Sequence, residues 1–435
     1  MLTKYANFKS KFNIFCERSS CKGKENLKSL LAVTFVAILF LSTFSTLASM
    51  VTAQQNSRDW PMFRADPSHS GAGTGNPVLT ATLLWNYSTG DQIYSSPAVV
   101  GGVVYIGSLN GNIYALKANT GANLWTYSTG GPVYSCPAIS SGSVYVGSAD
   151  GKVYCLNATN GNKLWSFTTG SEVDSSPTVV NGVVYVGSYD NNVYALNTTN
   201  GAKIWIFSTS APIWSSPAIV AGVVYIGSTD GYTYALNASI GNRLWNYTNG
   251  YATESSPTVL GGFVYTGYEN GSVYALDAAN GAEVWSFPTG NIIKSSPAVA
   301  DNVVYIGSLD HNIYALNATN GAKIWNYTTD GTVYSAPAII DCILYVGSQD
   351  GNIYSLNATN GDKLWSYKTD GFIESSPAVI GGVVYVGSLD SNIYALTSPT
   401  KTSNESLAII VAIILAVIVA FLSVFIIVRK RQRTC

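Results

Sequence analysis

From residue 83 to residue 397, apolar runs and turn residues alternate with a period of 40 residues, without one insertion or deletion. Residues 94–128 are one unit. Tyr94 to Val100 reads as a first strand entered through Pro97, and Gly101-Gly102 as a tight turn. Val103 to Gly107 reads as an alternating second strand, and Leu109-Asn110-Gly111 as a second turn. Asn112 to Leu116 is the third strand, Asn119-Thr120-Gly121 the third turn, and Leu124 to Ser128 the fourth strand. Asn-Gly, Asp-Gly and Gly-Gly pairs supply the positive φ angles that short hairpins need. Four short antiparallel strands per 40 residues make one propeller blade.

Eight tryptophans, Trp85, Trp125, Trp165, Trp205, Trp245, Trp285, Trp325 and Trp365, count the copies. The expected fold is all-β, an eight-bladed propeller over residues 83–397. The array begins on a fourth-type strand, Leu83–Ser88, and stops on a third-type strand, Asn392–Leu396. Leu83–Ser88 is therefore expected to complete the last blade and close the ring, removing its open edge. Each Trp occupies the same place in its unit, where a large flat side chain bridges stacked sheets. The serines Ser95, Ser135, Ser175, Ser215, Ser255, Ser295, Ser335 and Ser375 recur just as evenly, which argues for bonding to neighbouring backbone rather than for catalysis.

Charge alters the picture at the two ends. Charged residues make up only 11% of the chain, and the net charge of −1 divides into +5 over residues 1–53, −10 over 54–400 and +4 over 401–435. An acidic array is a poor partner for nucleic acid. Residues 407–428 form 22 apolar or small residues, followed at once by Arg429, Lys430, Arg431 and Arg433. That pattern predicts a transmembrane helix with a basic cytoplasmic tail, 429–435, and a spacer at 398–406. A basic stretch ahead of an apolar run from Leu30 to about Ala48, then Val51-Thr52-Ala53, predicts a signal peptide or signal anchor over 1–53. A leader segment, 54–82, separates it from the propeller. The propeller is expected outside the cell, single-pass anchored in the cell membrane.

Ten N-x-[ST] sequons fit export: Asn86, Asn157, Asn197, Asn237, Asn246, Asn270, Asn317, Asn326, Asn357 and Asn404. Asn157, Asn197, Asn237, Asn317 and Asn357 are copies of one third turn. Cys136, Cys155 and Cys342 break the repeat at unrelated positions, so neither a zinc site nor a disulfide framework is indicated. Of the two histidines, His69 lies in the leader and His311 replaces a small turn residue, which reads as a solvated loop position. Asp-Gly turns at Asp150, Asp230 and Asp350 lack the D-x-D-x-D-G pattern of a calcium loop. No catalytic residue, metal site or cofactor is expected.

The run from Ala195 through Asn197, Thr198, Gly201 and Trp205 resembles the tryptophan-docking motif of quinoprotein propellers, A-x-D-x-x-T-G-x-x-x-W, and Asp277 to Trp285 keeps its Asp. The array is similar to the PQQ-like repeat family, which includes quinoprotein dehydrogenases and the BamB-like, non-enzymatic branch. Asp59-Trp60-Pro61-Met62-Phe63-Arg64 resembles the leader of that family's secreted members. Asn replaces the docking Asp at Asn157, Asn197, Asn237, Asn317 and Asn357, Lys117 replaces it in the first copy and Thr397 in the last. The dehydrogenase resemblance implies a quinone held beside Ca²⁺, a catalytic Asp and an adjacent Cys-Cys disulfide, partly in long insertions. This chain has no adjacent cysteines and no insertion.

One position breaks the uniformity of the repeat and is large or charged in every copy: Tyr94, Tyr134, Asp174, Trp214, Glu254, Lys294, Tyr334 and Glu374, just ahead of the Ser-x-Pro element. It opens the innermost strand, so these eight are expected to ring one mouth of the central channel as a ligand-binding surface. The second-turn residues Leu109, Ala149, Tyr189, Thr229, Glu269, Leu309, Gln349 and Leu389 are expected to border the same face, with the third-turn sequons on the opposite face. The reading is a membrane-anchored binding or scaffold module for a protein, peptide or glycan. Its rivals are a PQQ-dependent oxidoreductase and an inert structural component of the cell envelope.

Overall fold

The computed structural model describes residues 59–399. The expected signal segment, the transmembrane helix, the basic tail and Asn404 lie outside the described residues, among which no helix is long and apolar enough to cross a membrane. Eight sheets of four antiparallel strands follow one another in chain order, the seventh gaining a short parallel fifth strand from the leader. In the first, the strands are Ala98–Val100, Val103–Gly107, Asn112–Lys117 and Asn123–Ser128. The last sheet takes its outer strand from the start of the array: Thr82–Ser88 pairs antiparallel with Asn392–Thr397, from Thr82 opposite Thr397 to Ser88 opposite Asn392. Ring closure is as the phase of the repeat predicts.

Two details differ from expectation. The inner strand pairs over three residues only, Ala98–Val100, and Tyr94–Pro97 lies outside the ladder with a bend at Ser95. Pro97 has no N–H to give to a ladder, and the serines bond sideways. The second strand does not alternate between buried and exposed: Val104, Tyr105, Ile106 and Gly107 are all buried, because neighbouring blades cover both sheet faces. Only the outer strand alternates.

Each Trp joins adjacent blades. Trp125 Nε1 donates to the Ala158 carbonyl of the next blade at 2.9 Å, and Tyr105 packs on the indole at 5.9 Å between centroids. Gly161 closes the third turn at φ 74°, with its Cα facing Trp125; a Cβ there would stand 2.7 Å from the indole. Asn serves as well as Asp in that turn: Asn157 Oδ1 accepts the Thr159 and Asn160 amides at 2.9 and 3.2 Å, as Asp277 does for Ala279 and Asn280 at 2.8 and 3.2 Å.

The serines take the structural role their even spacing implies. Ser95 Oγ accepts the Gly107 amide at 3.1 Å, and the same bond recurs in every blade to Gly387 and Ser375. One residue on, each backbone N–H donates to the hydroxyl of the next blade, as from Ser176 to Ser216 at 2.9 Å and from Ser376 to Ser96 at 2.9 Å. This circumferential chain is broken where the acceptor is Cys136 or Ala336. Ala336→Ser is expected to restore a buried bond and stabilise the fold by about 1 kcal/mol. An unchanged or lower urea midpoint would count against this role for the serine chain.

The leader is not a separate segment. Residues 59–73 cross the channel and bond to the inner strands one after another. Trp60 exchanges two 2.8 Å bonds with Val99, and Pro61 O accepts the Ile139 amide at 2.7 Å. Pro67, Ser68, Ser70 and Gly71 carbonyls then accept from Ile219, Val259, Val299 and Ile339 at 2.6, 2.9, 2.9 and 2.8 Å, and Ala72–Gly73 pairs parallel with Ile339–Ile340. Buried polar groups fix the plug. Arg64, 2% exposed, donates to the Pro337 carbonyl at 2.6 Å and to that of Pro297. Gly71 has no side chain to obstruct it; a Cβ would lie 2.1 Å from the guanidinium. His69 is fully buried, with Nδ1 3.2 Å from the Pro257 carbonyl and Nε2 3.2 Å from the Thr178 hydroxyl. Arg64, Ala65 and His69 all adopt positive φ, a strain that these bonds offset.

Candidate functional site at the open mouth

Chain direction orients the channel. The inner strand runs from the residue-94 position toward the Gly101-Gly102 turn, and the leader bonds at the level of Val99. The plug therefore seals the end carrying the first and third turns. The eight variable residues stand five positions earlier in the chain, toward the other end. The channel is a cup, with Arg64 and His69 in its floor.

The structure brings these eight side chains together around the rim. Tyr94 and Tyr134 rings lie 5.5 Å apart. Lys294 Nζ is 3.0 Å from Glu254 Oε2. Tyr94 has its hydroxyl raised above the usual range by burial and by the nearby Glu374, Tyr134 and Tyr334. Burial alone would lower Lys294, but the bond to Glu254, with Tyr334 and Glu269 nearby, raises it. Burial raises Glu374, while Gln349 and Lys294 pull it down. Trp214 is the most open of the eight at 44% exposure.

The second turns do border this mouth. Tyr189 stacks on Trp214 with centroids 4.6 Å apart and planes at 35°. Gln349 Nε2 donates to Glu374 Oε1 at 2.6 Å, and Thr332 donates in turn to Gln349. Burial raises Glu269, and the Glu254 charge raises it further. Asp174 is pushed up to about 6 by burial, against Tyr189, with Glu172 adding to the rise. His311 is exposed on its turn at φ 72°.

At the sealed end, Asn157, Asn197, Asn237, Asn317 and Asn357 use Oδ1 to cap their turns, and their amide nitrogens have no partner among the described residues. Asn270 differs, since its Nδ2 donates to Tyr274 Oη at 2.8 Å on the mouth side. Asn86 is exposed on an outer strand, Asn246 is half-buried on one, and Asn326 Nδ2 bonds Asn312 at 3.1 Å.

A quinone–Ca²⁺ site does not fit these residues. Cys136 and Cys155 are buried in separate apolar clusters and Cys342 is exposed, so no vicinal pair exists among them. Among the described residues no three His, Cys, Asp or Glu side chains converge. Glu254 and Glu374 are already engaged by Lys294 and Gln349.

Solved structures share the fold. BamB from Moraxella catarrhalis superposes with a TM-score of 0.64 at 20% identity, covering 73% of this chain and 99% of that one. A europium-containing methanol dehydrogenase gives 0.68 at 15% identity over 78% and 98%. The quinohemoprotein alcohol dehydrogenase from Comamonas testosteroni gives 0.67 at 15% over 79% and 81%. At such identities the likeness speaks to the fold alone. No curated protein matches the chain. The family model described as outer membrane protein assembly factor BamB matches residues 78–174, 149–291 and 269–400, most of the propeller, and the chain belongs to that family.

Proposed function

We propose that the protein is a non-catalytic binding module, exported and held to a membrane by its C-terminal segment, whose cup mouth takes a segment of a partner protein. One observation carries this reading. Blades that are otherwise copies of one another carry at the rim position a mixture of aromatic, acidic and basic side chains, none of them small, above a floor built by the chain's own leader. Packing between blades does not require that variety. Aromatic pairs beside charged groups are what anchors at protein interfaces are made of. Family membership supports the scaffold role, and the sequons at the sealed end, if they carry glycans, leave the mouth as the bare face.

The test is capture of the full-length chain from native membranes after cross-linking in place. Wild-type protein is expected to retain a partner. Trp214→Ala, Tyr334→Ala and Glu374→Ala together are expected to reduce its yield more than about tenfold, because one interface anchor is worth ~2 kcal/mol or more. Undiminished capture by a triple variant with normal thermal unfolding would favour an inert structural component.

A further inference from the structure

The chain has nine Asn-Gly pairs, and the glycine amides of eight are engaged. At five third turns, from Gly161 to Gly361, that amide donates to the carbonyl four residues back at 2.8–2.9 Å. In the second turns Gly111 and Gly271 donate to the Ser108 and Tyr268 carbonyls at 3.1 and 3.0 Å, and Gly250 donates to Thr248 Oγ1 at 3.0 Å. The ninth pair, Asn181-Gly182, is the first turn of the third blade and joins Thr178–Val180 to Val183–Gly187. Both residues are exposed, and neither the Gly182 amide nor the Asn181 side chain has a hydrogen-bond partner among the described residues. The turn carries φ angles of 50° and 79°, the left-handed pair that a two-residue hairpin needs and that Asn and Gly adopt readily. Val183 stands where a sequon would need Ser or Thr, so Asn181 is not a glycan acceptor.

A glycine amide after an asparagine is a latent nucleophile. No side chain obstructs its approach to the Asn carbonyl carbon, and a hydrogen bond is what withholds it. We propose that Asn181 is the chain's preferred site of spontaneous deamidation through a cyclic imide, and that its conversion loosens the seam between the second and third blades. The Gly182 nitrogen gives its proton to solvent and bonds to Asn181 Cγ. The bond from Cγ to Nδ2 breaks, and that nitrogen leaves as ammonia. Water then opens the imide at either carbonyl, to an aspartyl residue or its isoaspartyl isomer, with no change of oxidation state. The isoaspartyl form routes the main chain through the side-chain carbons and lengthens the hairpin by one atom. The Gly182 carbonyl accepts both the amide and the hydroxyl of Thr198 at 3.0 Å, and the Thr198 carbonyl accepts Trp165 Nε1 at 2.9 Å. A displaced Gly182 therefore frees the turn on which the indole of the preceding blade docks.

The test ages the full-length chain in detergent in mildly alkaline buffer, folded and in urea, then digests it under acidic conditions for peptide mapping by mass spectrometry. In the folded protein the Asn181-Gly182 peptide is expected to gain about 1 Da, the exchange of an amino group for a hydroxyl. It should do so about tenfold or more faster than the other eight pairs, whose amides must first open locally. In urea the nine rates should converge. Aged wild type is also expected to exchange amide hydrogens faster around Trp165 and Thr198. Asn181→Ala is the control, since Ala221 holds the same φ of 50° at this turn of the next blade. That variant should neither gain mass at the turn nor loosen with age. Another pair reacting first in the folded protein, or the same order of rates folded and in urea, would overturn the site. A mass gain without faster exchange at Trp165, or equal loosening in aged Asn181→Ala, would overturn its link to the seam.

Discussion

Trp365→Ala is expected to cost about 3–5 kcal/mol of unfolding free energy, the range for truncating a buried aromatic. Trp365 lies at the seam where the last blade lacks a third turn, because its outer strand comes from the other end of the array. The leader stands in for that turn: Trp365 Nε1 donates to the Val78 carbonyl at 2.8 Å, and Tyr345 Oη accepts the Val78 amide at 2.7 Å. At the seven other seams the indole meets the turn of the following blade, as at Trp85 and Ala118. Losing Trp365 should thus loosen the leader as well as the seam. A lower urea midpoint accompanied by faster proteolysis between residues 59 and 81 would show both effects. Trp365→Phe, which keeps most of the apolar area but loses the donor, should cost roughly 2 kcal/mol. If Trp365→Ala matched wild type in midpoint and proteolysis, the leader would not be held by this contact.

The second large effect is a dependence on pH centred on His69. Its pKa falls to about 4, chiefly through burial and also through the nearby Arg64 charge, against the opposing pull of Asp66 and of the Pro257 carbonyl. The unfolded chain binds a proton near pH 6.5, where the folded chain does not. The stability contributed by neutral His69 is therefore complete above about pH 6.5 and is lost as pH falls toward 4. The loss is about 2 kcal/mol by pH 5 and about 3 kcal/mol by pH 4. Denaturation midpoints of wild type and His69→Gln across pH 7.5 to 4.5 isolate it, because the carboxylates titrate in both. Parallel pH profiles would show that His69 is not held neutral in the channel.

The period revealed the blades, their number and the closing strand because each is a matter of copies and phase. Eight aligned serines and eight aligned tryptophans announce shared jobs, and the serine hydroxyls and indole nitrogens each make one recurring bond. The variable rim was legible for the opposite reason, since disagreement among copies marks a position that packing does not fix. The plug was not legible. Residues 59–73 bond mainly through carbonyl oxygens, as from Pro61, Pro67 and Ser68, and carbonyls leave no trace in side-chain identity. His69 likewise offered no clue, because a lone histidine in a short polar stretch reads as solvated until the surrounding inner strands are in place. The inner strand is shorter than the pattern of residues 94–100 suggests, because the chain bends at Ser95 and the Ser95 hydroxyl bonds sideways to the Ser135 carbonyl of the next blade.

The plug has one more consequence, for the handedness of attachment. Asp59 accepts from the Gly101 amide and Thr397 stands opposite Thr82, so both ends of the described chain emerge on the sealed side. Ser398 reaches back to the Leu79 amide at 3.1 Å on that side too. A tether joined to either end is therefore attached at the closed face and not at the rim.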